Sequence, residues 1–179
     1  MAKLNIRRLE PGLESVIQTF NSGNYYLDNF IKSDAAWNDS IGKTYLLLSD
    51  DEKILIGYYN ITVGSLDMLD NGIHKKIGGC VHINCFALDN RFHKQIEVVT
   101  DDQMKIYTSD LLLDDCLQRV ERLRKDYIGI AFITLNSTEE GKWLYIRNDF
   151  EPLEEDMFFS IEDSDLKCTQ MYLPLELED

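Results

Sequence analysis

Cys80 to Gln95 reads CVHINCFALDNRFHKQ, an almost uncharged strand with an abrupt polar exit, and a helix follows from near Ser109. A strand, loop and helix in this order form a ready anion site. The first turn of a helix offers backbone N–H groups with no partner inside the helix, at the positive end of its dipole. His82 and Asn84 share one face of the strand with Phe86, and His93 lies beyond its end. An imidazole titrates near neutral pH, so His82 is placed to take a proton from an ammonium group, directly or through a water. A strand histidine can equally be a satisfied core residue. Glu10, at the end of the first strand, is a second candidate base, and His74 falls in a turn. No motif points to a serine or cysteine nucleophile, a metal site or a P-loop.

The totals limit what this site can serve. With 179 residues the chain is long enough for one domain, 1–179, that buries its own core. Its 44% hydrophobic and 28% charged residues are ordinary for a soluble globular protein. The longest apolar run, Ile128 to Leu135, is too short to span a bilayer. The start, MAKLNIRRLE, has no apolar core of the kind a secretory signal needs, so a cytoplasmic protein is expected. Cys80, Cys85, Cys116 and Cys168 show neither C-x-x-C nor zinc spacing, and read as thiols in a reducing compartment. The net charge of −14 repels nucleic acid and anionic membranes at long range and favours a cationic partner such as an amine.

The elements that must hold the site can be read in order. Leu4 to Leu9 alternates as a short strand, ended by Pro11 and Gly12. Leu13, Val16, Ile17 and Phe20 recur at helical spacing, and a second helix is expected from Tyr26 to Asn38. Strands are expected over Lys43–Ser49 and Ile54–Leu66, with Gly57 and Gly64 marking bends or a bulge. Asp70-Asn71-Gly72 then turns the chain into the strand Lys76–Leu88. Leu112, Leu113, Cys116, Leu117, Val120 and Leu123 share one face of a helix over Ser109–Lys125, for which Thr108 or Ser109 is the N-cap. Ile128 to Leu135 has the continuous apolar pattern of a buried parallel strand. Ser137-Thr138-Glu139-Glu140 fits a capping box opening a helix through Asn148. Met157–Ile161 and Thr169–Leu173 are the last strands. The expectation is a mixed α/β fold, a mostly antiparallel sheet of about seven strands with helices on both faces, ordered β-α-α-β-β-β-α-β-α-β-β.

Three local stretches carry a family resemblance. Phe20-Asn21-Ser22-Gly23 with Leu27-Asp28-Asn29-Phe30-Ile31, then Phe86-Ala87-Leu88-Asp89, then Leu144-Tyr145-Ile146-Arg147-Asn148-Asp149-Phe150 resemble segments of the GNAT (Gcn5-related) N-acetyltransferases. The likeness is to a bacterial branch that includes toxin-type acetyltransferases. It implies acetyl-CoA as co-substrate and no metal. The pantetheine arm would pair with the backbone of Phe86, Ala87 and Leu88, and Tyr145 would protonate the CoA thiolate. The family places glycines, [QR]-x-x-G-x-[GA], beneath the CoA pyrophosphate. Here Asn90 to Glu97 holds none, and Asp149 replaces a further glycine before Phe150. A different cradle would draw on Arg91, Lys94 or Lys105 with the helix start at Ser109, while Glu97, Asp101 and Asp102 are unfavourable neighbours for a polyphosphate.

Three readings follow. The leading one is direct acetyl transfer to an amine of a small molecule or protein, with a homodimer as an open option. The second is a non-catalytic GNAT-fold module that binds a partner or ligand without the usual pyrophosphate loop. The third is a globular protein with no ligand.

Overall fold

A computed structural model of the chain describes residues 4–159 and 167–175. It divides into two compact units, one formed by the chain up to Ile61 with Cys85–Arg119, the other by Thr62–Asn84 with the chain from Val120 onward. The long elements β3 (Leu55–Asp70), β4 (Ile73–Leu88) and α3 (Thr108–Asp126) contribute residues to both.

In the first unit, β1 (Asn5–Arg8) and β2 (Lys43–Leu48) pair antiparallel, and β2 pairs antiparallel with β3. Leu47 faces Gly57 while Leu48 faces Leu55, so Ile56 is an extra residue in β3. The bulge expected at Gly57 is therefore present, and the reason for a glycine is a close approach. A Cβ there would lie 2.8 Å from the Ala87 carbonyl oxygen and 2.6 Å from a Leu88 methyl. Helix α1 is short, Glu14–Gln18, and follows the left-handed Gly12. Helix α2 spans Tyr25–Lys32, capped by the Asn24 side chain, which accepts from the N–H groups of Tyr26 and Leu27. It does not reach Asn38 as expected. Ser33 turns extended, its hydroxyl donates to the Phe30 carbonyl, and Asp34–Trp37 forms a separate 3-10 turn. Leu13, Ile17, Phe20 and Ile31 pack with Leu46, Leu55, Tyr58, Cys85 and Ala87 into one core.

In the second unit, β4 pairs in parallel with β7 (Phe132–Ser137), and β7 pairs antiparallel with β10 (Thr169–Pro174). Two-residue strands β8 (Glu151–Pro152) and β9 (Met157–Phe158) extend the edges, on β10 and β3 respectively. The sheet order is β1-β2-β3-β4-β7-β10-β8 with β9 on β3. The mostly antiparallel mixed sheet is as read from the sequence, with β4 against β7 as the parallel pair among the described residues. Glycine permits that pairing: a Cβ at Gly79 would lie 2.9 Å from the Gly129 carbonyl oxygen. The turn between β3 and β4 has left-handed Asn71 and Gly72, the geometry of a two-residue type I′ hairpin. Leu66, Phe159 and Tyr172 form a smaller core.

Several boundaries differ from expectation. The strand read from Ile128 begins at Phe132 and continues to Ser137, because Ser137 pairs with Thr169. Ser137 therefore caps no helix. Thr138 Oγ1 instead accepts from the Gly141 N–H, and helix α4 spans only Lys142–Ile146. Between the exit of β4 and α3, where no element is expected from the sequence, lies a two-stranded hairpin, β5 (Ile96–Val99) and β6 (Lys105–Tyr107). Of the strand read over Met157–Ile161, the last two residues lie outside the described residues, as does most of the acidic turn after it. No helix among the described residues is long and apolar enough to cross a membrane.

Gly57→Ala should lower stability by about 1–3 kcal/mol, since the added methyl meets fixed backbone and a buried leucine. Urea unfolding measures it, and an unchanged midpoint would contradict the close approach.

Candidate functional site

At the end of β4 the chain turns through a short 3-10 segment, Asn90–Phe92, capped by Asp89. The Asp89 residue is 2% exposed. Its carboxylate accepts from the Asn21 N–H at 3.1 Å, the Arg91 N–H at 3.1 Å, and the Arg91 guanidinium at 2.7 and 3.0 Å. Burial alone would raise its pKa, but the Arg91 side chain and the two N–H donors outweigh that and hold it below the ordinary value. Asn90 N–H donates to the Asn21 carbonyl, so the Asn21-Ser22-Gly23 turn and the strand exit are one bonded assembly. Two of the three resembling stretches thus meet at this carboxylate.

The expected phosphate cradle takes a different form. Arg91 is committed to Asp89 by two hydrogen bonds and lies 5.8 Å above the Phe92 ring, so it is no free anion ligand. His93 Nε2 is 3.0 Å from the Leu88 carbonyl oxygen, which accepts from that ring. Lys94 is exposed and left-handed at φ +60, the backbone conformation a glycine would supply at no steric cost. Lys105 is exposed on β6 opposite Val99. Thr108, not Ser109, opens α3, with Ser109 half-buried behind it. The Asp110 carboxylate accepts from the Tyr107 N–H at 2.8 Å, a back-bond of the capping-box type. The buried Thr108 hydroxyl donates to the Glu97 carboxylate at 2.6 Å, and Gln95 Nε2 donates to the same oxygen at 2.8 Å.

Along β4, Ala87 and Leu88 are buried and Phe86 is half-buried. The parallel register with β7 runs from Cys80↔Phe132 to Ile83↔Leu135, while β4 itself continues to Leu88. One residue past Leu135, the Asn136 Oδ1 is buried with no hydrogen-bond partner. It is an orphaned acceptor of the kind an amide N–H would satisfy. Its one signal in the sequence is a polar residue directly after an apolar run.

His82 is 1% exposed, its Nδ1 lies 2.9 Å from Thr134 Oγ1, and its ring packs 4.9 Å from that of Phe159. Burial lowers its pKa to about 3. A neutral, enclosed imidazole cannot collect a substrate proton near pH 7, so the base role expected for His82 is withdrawn. Glu10 lies 3.8 Å from Arg7 in an exposed pair. His74, expected in a turn, lies exposed on β4 with its ring tilted against that of Phe158, centroids 5.0 Å apart.

Tyr145 sits on α4 and is 6% exposed. The helix ends in a Schellman motif: Asp149 is left-handed at φ +65, the Phe150 N–H reaches the Tyr145 carbonyl, and the Asp149 N–H reaches Ile146. The hydrophobic contact that accompanies such ends is Tyr145 against Phe150, with centroids 5.5 Å apart. The third resembling stretch is therefore a device that fixes one tyrosine.

Comparison with solved structures places the whole arrangement. AtaTR bound with acetyl-CoA shares 18% identity at a TM-score of 0.68, covering 97% of this chain and 94% of that one. A tyrosine-to-phenylalanine mutant of KacT shares 20% at 0.69, covering 96% and 95%. AtaT complexed with acetyl-methionyl-tRNAfMet shares 18% at 0.67, again covering 96% and 95%. The chain has a GNAT fold. No family model and no curated protein matches the sequence. At this identity the likeness establishes the architecture, shared with acetyltransferase toxins along nearly the full length of both chains.

Two outcomes check the site geometry. Asp149→Gly should stabilise by about 1 kcal/mol, because a non-glycine residue pays that much to be left-handed, which raises the melting temperature by roughly 2–4 °C. A lower melting temperature would mean that the Asp149 side chain itself is needed. For His82 the folded pKa lies below the unfolded 6.5, so the unfolded chain binds more protons and stability falls as pH drops from 6.5 toward about 3. Thermal melts from pH 7 to 4 should show a shallower fall for His82→Gln than for the unsubstituted protein. Parallel curves would refute the burial argument.

Proposed function

We propose that this protein is an acetyl-CoA-dependent N-acetyltransferase that moves an acetyl group directly to an amine. The observation that carries this reading is Tyr145, held by the Schellman end of α4 in a GNAT fold. The acceptor amine attacks the thioester carbonyl, the C–N bond forms and the C–S bond breaks. The departing thiolate takes a proton from the Tyr145 phenol, and the acceptor nitrogen loses its own proton to solvent or to a base this reading leaves unassigned. The donor's pantetheine arm would pair with the β4 backbone at Phe86, Ala87 and Leu88. Its diphosphate end does not fit a glycine cradle, since none of the residues from Asn90 to Glu97 is glycine.

The acceptor class is an amine of a small molecule or a protein, which suits a net charge of −14. The neighbour complexed with acetyl-methionyl-tRNAfMet brings charged tRNA into the same trial. The cytoplasm of a bacterium is the proposed setting, in keeping with four free cysteines. A non-catalytic binding module is the second reading, favoured by the altered diphosphate end.

Calorimetry with acetyl-CoA, followed by labelled acetyl transfer to polyamines, lysine peptides and charged tRNA, tests both. Binding with transfer to one acceptor supports the enzyme, while binding without transfer, or no binding at millimolar acetyl-CoA, removes the enzyme and favours the module. Tyr145→Phe should cut turnover by about 10²–10⁴-fold with CoA affinity nearly unchanged. Equal turnover would reject the acid role.

A further inference from the structure

The exit of β4 is not merely short of glycine. From Asp89 to Asp110 it carries five acidic residues, Asp89, Glu97, Asp101, Asp102 and Asp110, against the basic Arg91, Lys94 and Lys105. Arg91 is already spent on Asp89. The hairpin β5–β6 folds so that one of these acids, Glu97, returns to the start of α3 and accepts a hydrogen bond from the buried Thr108 hydroxyl at 2.6 Å. The same segment is pinned by the Thr108 N–H to the Gln95 carbonyl at 3.1 Å and by Gln95 Nε2 to Glu97 at 2.8 Å. A carboxylate is an anion, and the beginning of a helix stabilises one. The chain thus supplies its own negative charge in the stretch between strand and helix, where the resemblance implies the diphosphate of the donor.

We propose that Glu97 is a specificity-determining residue that opposes the diphosphate of CoA, so that the protein grips its acyl donor through the pantetheine arm and discriminates weakly in favour of the nucleotide end. The proposal rests on the acetyl-transfer reading. To seat a diphosphate beside Thr108, CoA must displace the Glu97 carboxylate or accept its repulsion. Pantetheine ends before this region and carries no phosphate, so it meets neither cost. Glu97 is exposed on the hairpin and its neutral replacement keeps an acceptor for the Thr108 hydroxyl, which leaves the fold in place.

The test is calorimetric binding of CoA and of pantetheine to the unsubstituted protein, Glu97→Gln and Glu97→Ala, with circular dichroism to confirm folding. Removing one like charge from beside a diphosphate should tighten CoA about fivefold. Pantetheine affinity should stay unchanged, and Glu97→Ala should behave as Glu97→Gln does. CoA affinity unaltered by either substitution, or both ligands shifting together, would overturn the role of Glu97 while leaving the transfer reading intact. Failure of all three proteins to bind either ligand would overturn the transfer reading, and this inference with it.

Discussion

A single buried carboxylate organises the strand exit. An ionised acid taken out of water costs several kcal/mol unless its oxygens are met by donors. Asp89 meets that demand with two backbone N–H groups and a bidentate guanidinium. Two of these donors are local, and the third comes from Asn21, 68 residues earlier in the chain. The bond to Asn21 joins the turn before α2 to the end of β4, the strand to which the proposed reading assigns the donor arm. Arg91 looked available for a phosphate only because the buried acid beside it could not be seen in one dimension.

The sequence made the fold legible where local chemistry and tertiary packing agree. Asp70-Asn71-Gly72 became a hairpin, Gly57 a bulge, and Ser109 to Lys125 a helix, because turn geometry and apolar spacing each admit one answer. Legibility failed where a tertiary bond outbid a local preference. Ser137 has the composition of a helix cap, yet pairing with Thr169 holds it in a strand. The β5–β6 hairpin was read as loop because a register shift between Ile96 and Val98 breaks its alternation. His82 illustrates the limit most clearly, since only the packing of Thr134 and Phe159 around it separates a base from a core residue.

The two stretches that depart from the quoted family pattern do so in different ways. At the end of α4, the helix, its Schellman closure and the aromatic contact are all in place although a glycine is missing. At the exit of β4, the chain forms a hairpin and a Thr108–Glu97 bond where the pattern has glycines. Chemistry at a thioester demands sub-ångström placement of a few groups, whereas an arm that binds by its length tolerates rearrangement at its far tip.

Asp149 stands where the quoted family pattern has glycine, and it takes the left-handed backbone that glycine would have made easy. The helix end there depends on a torsion angle and two hydrogen bonds, not on a letter. A count of residue identities registers such a position as a difference, although its backbone closes the helix as glycine would. The chain's architecture is recognisable along nearly its whole length although its sequence matches no family model.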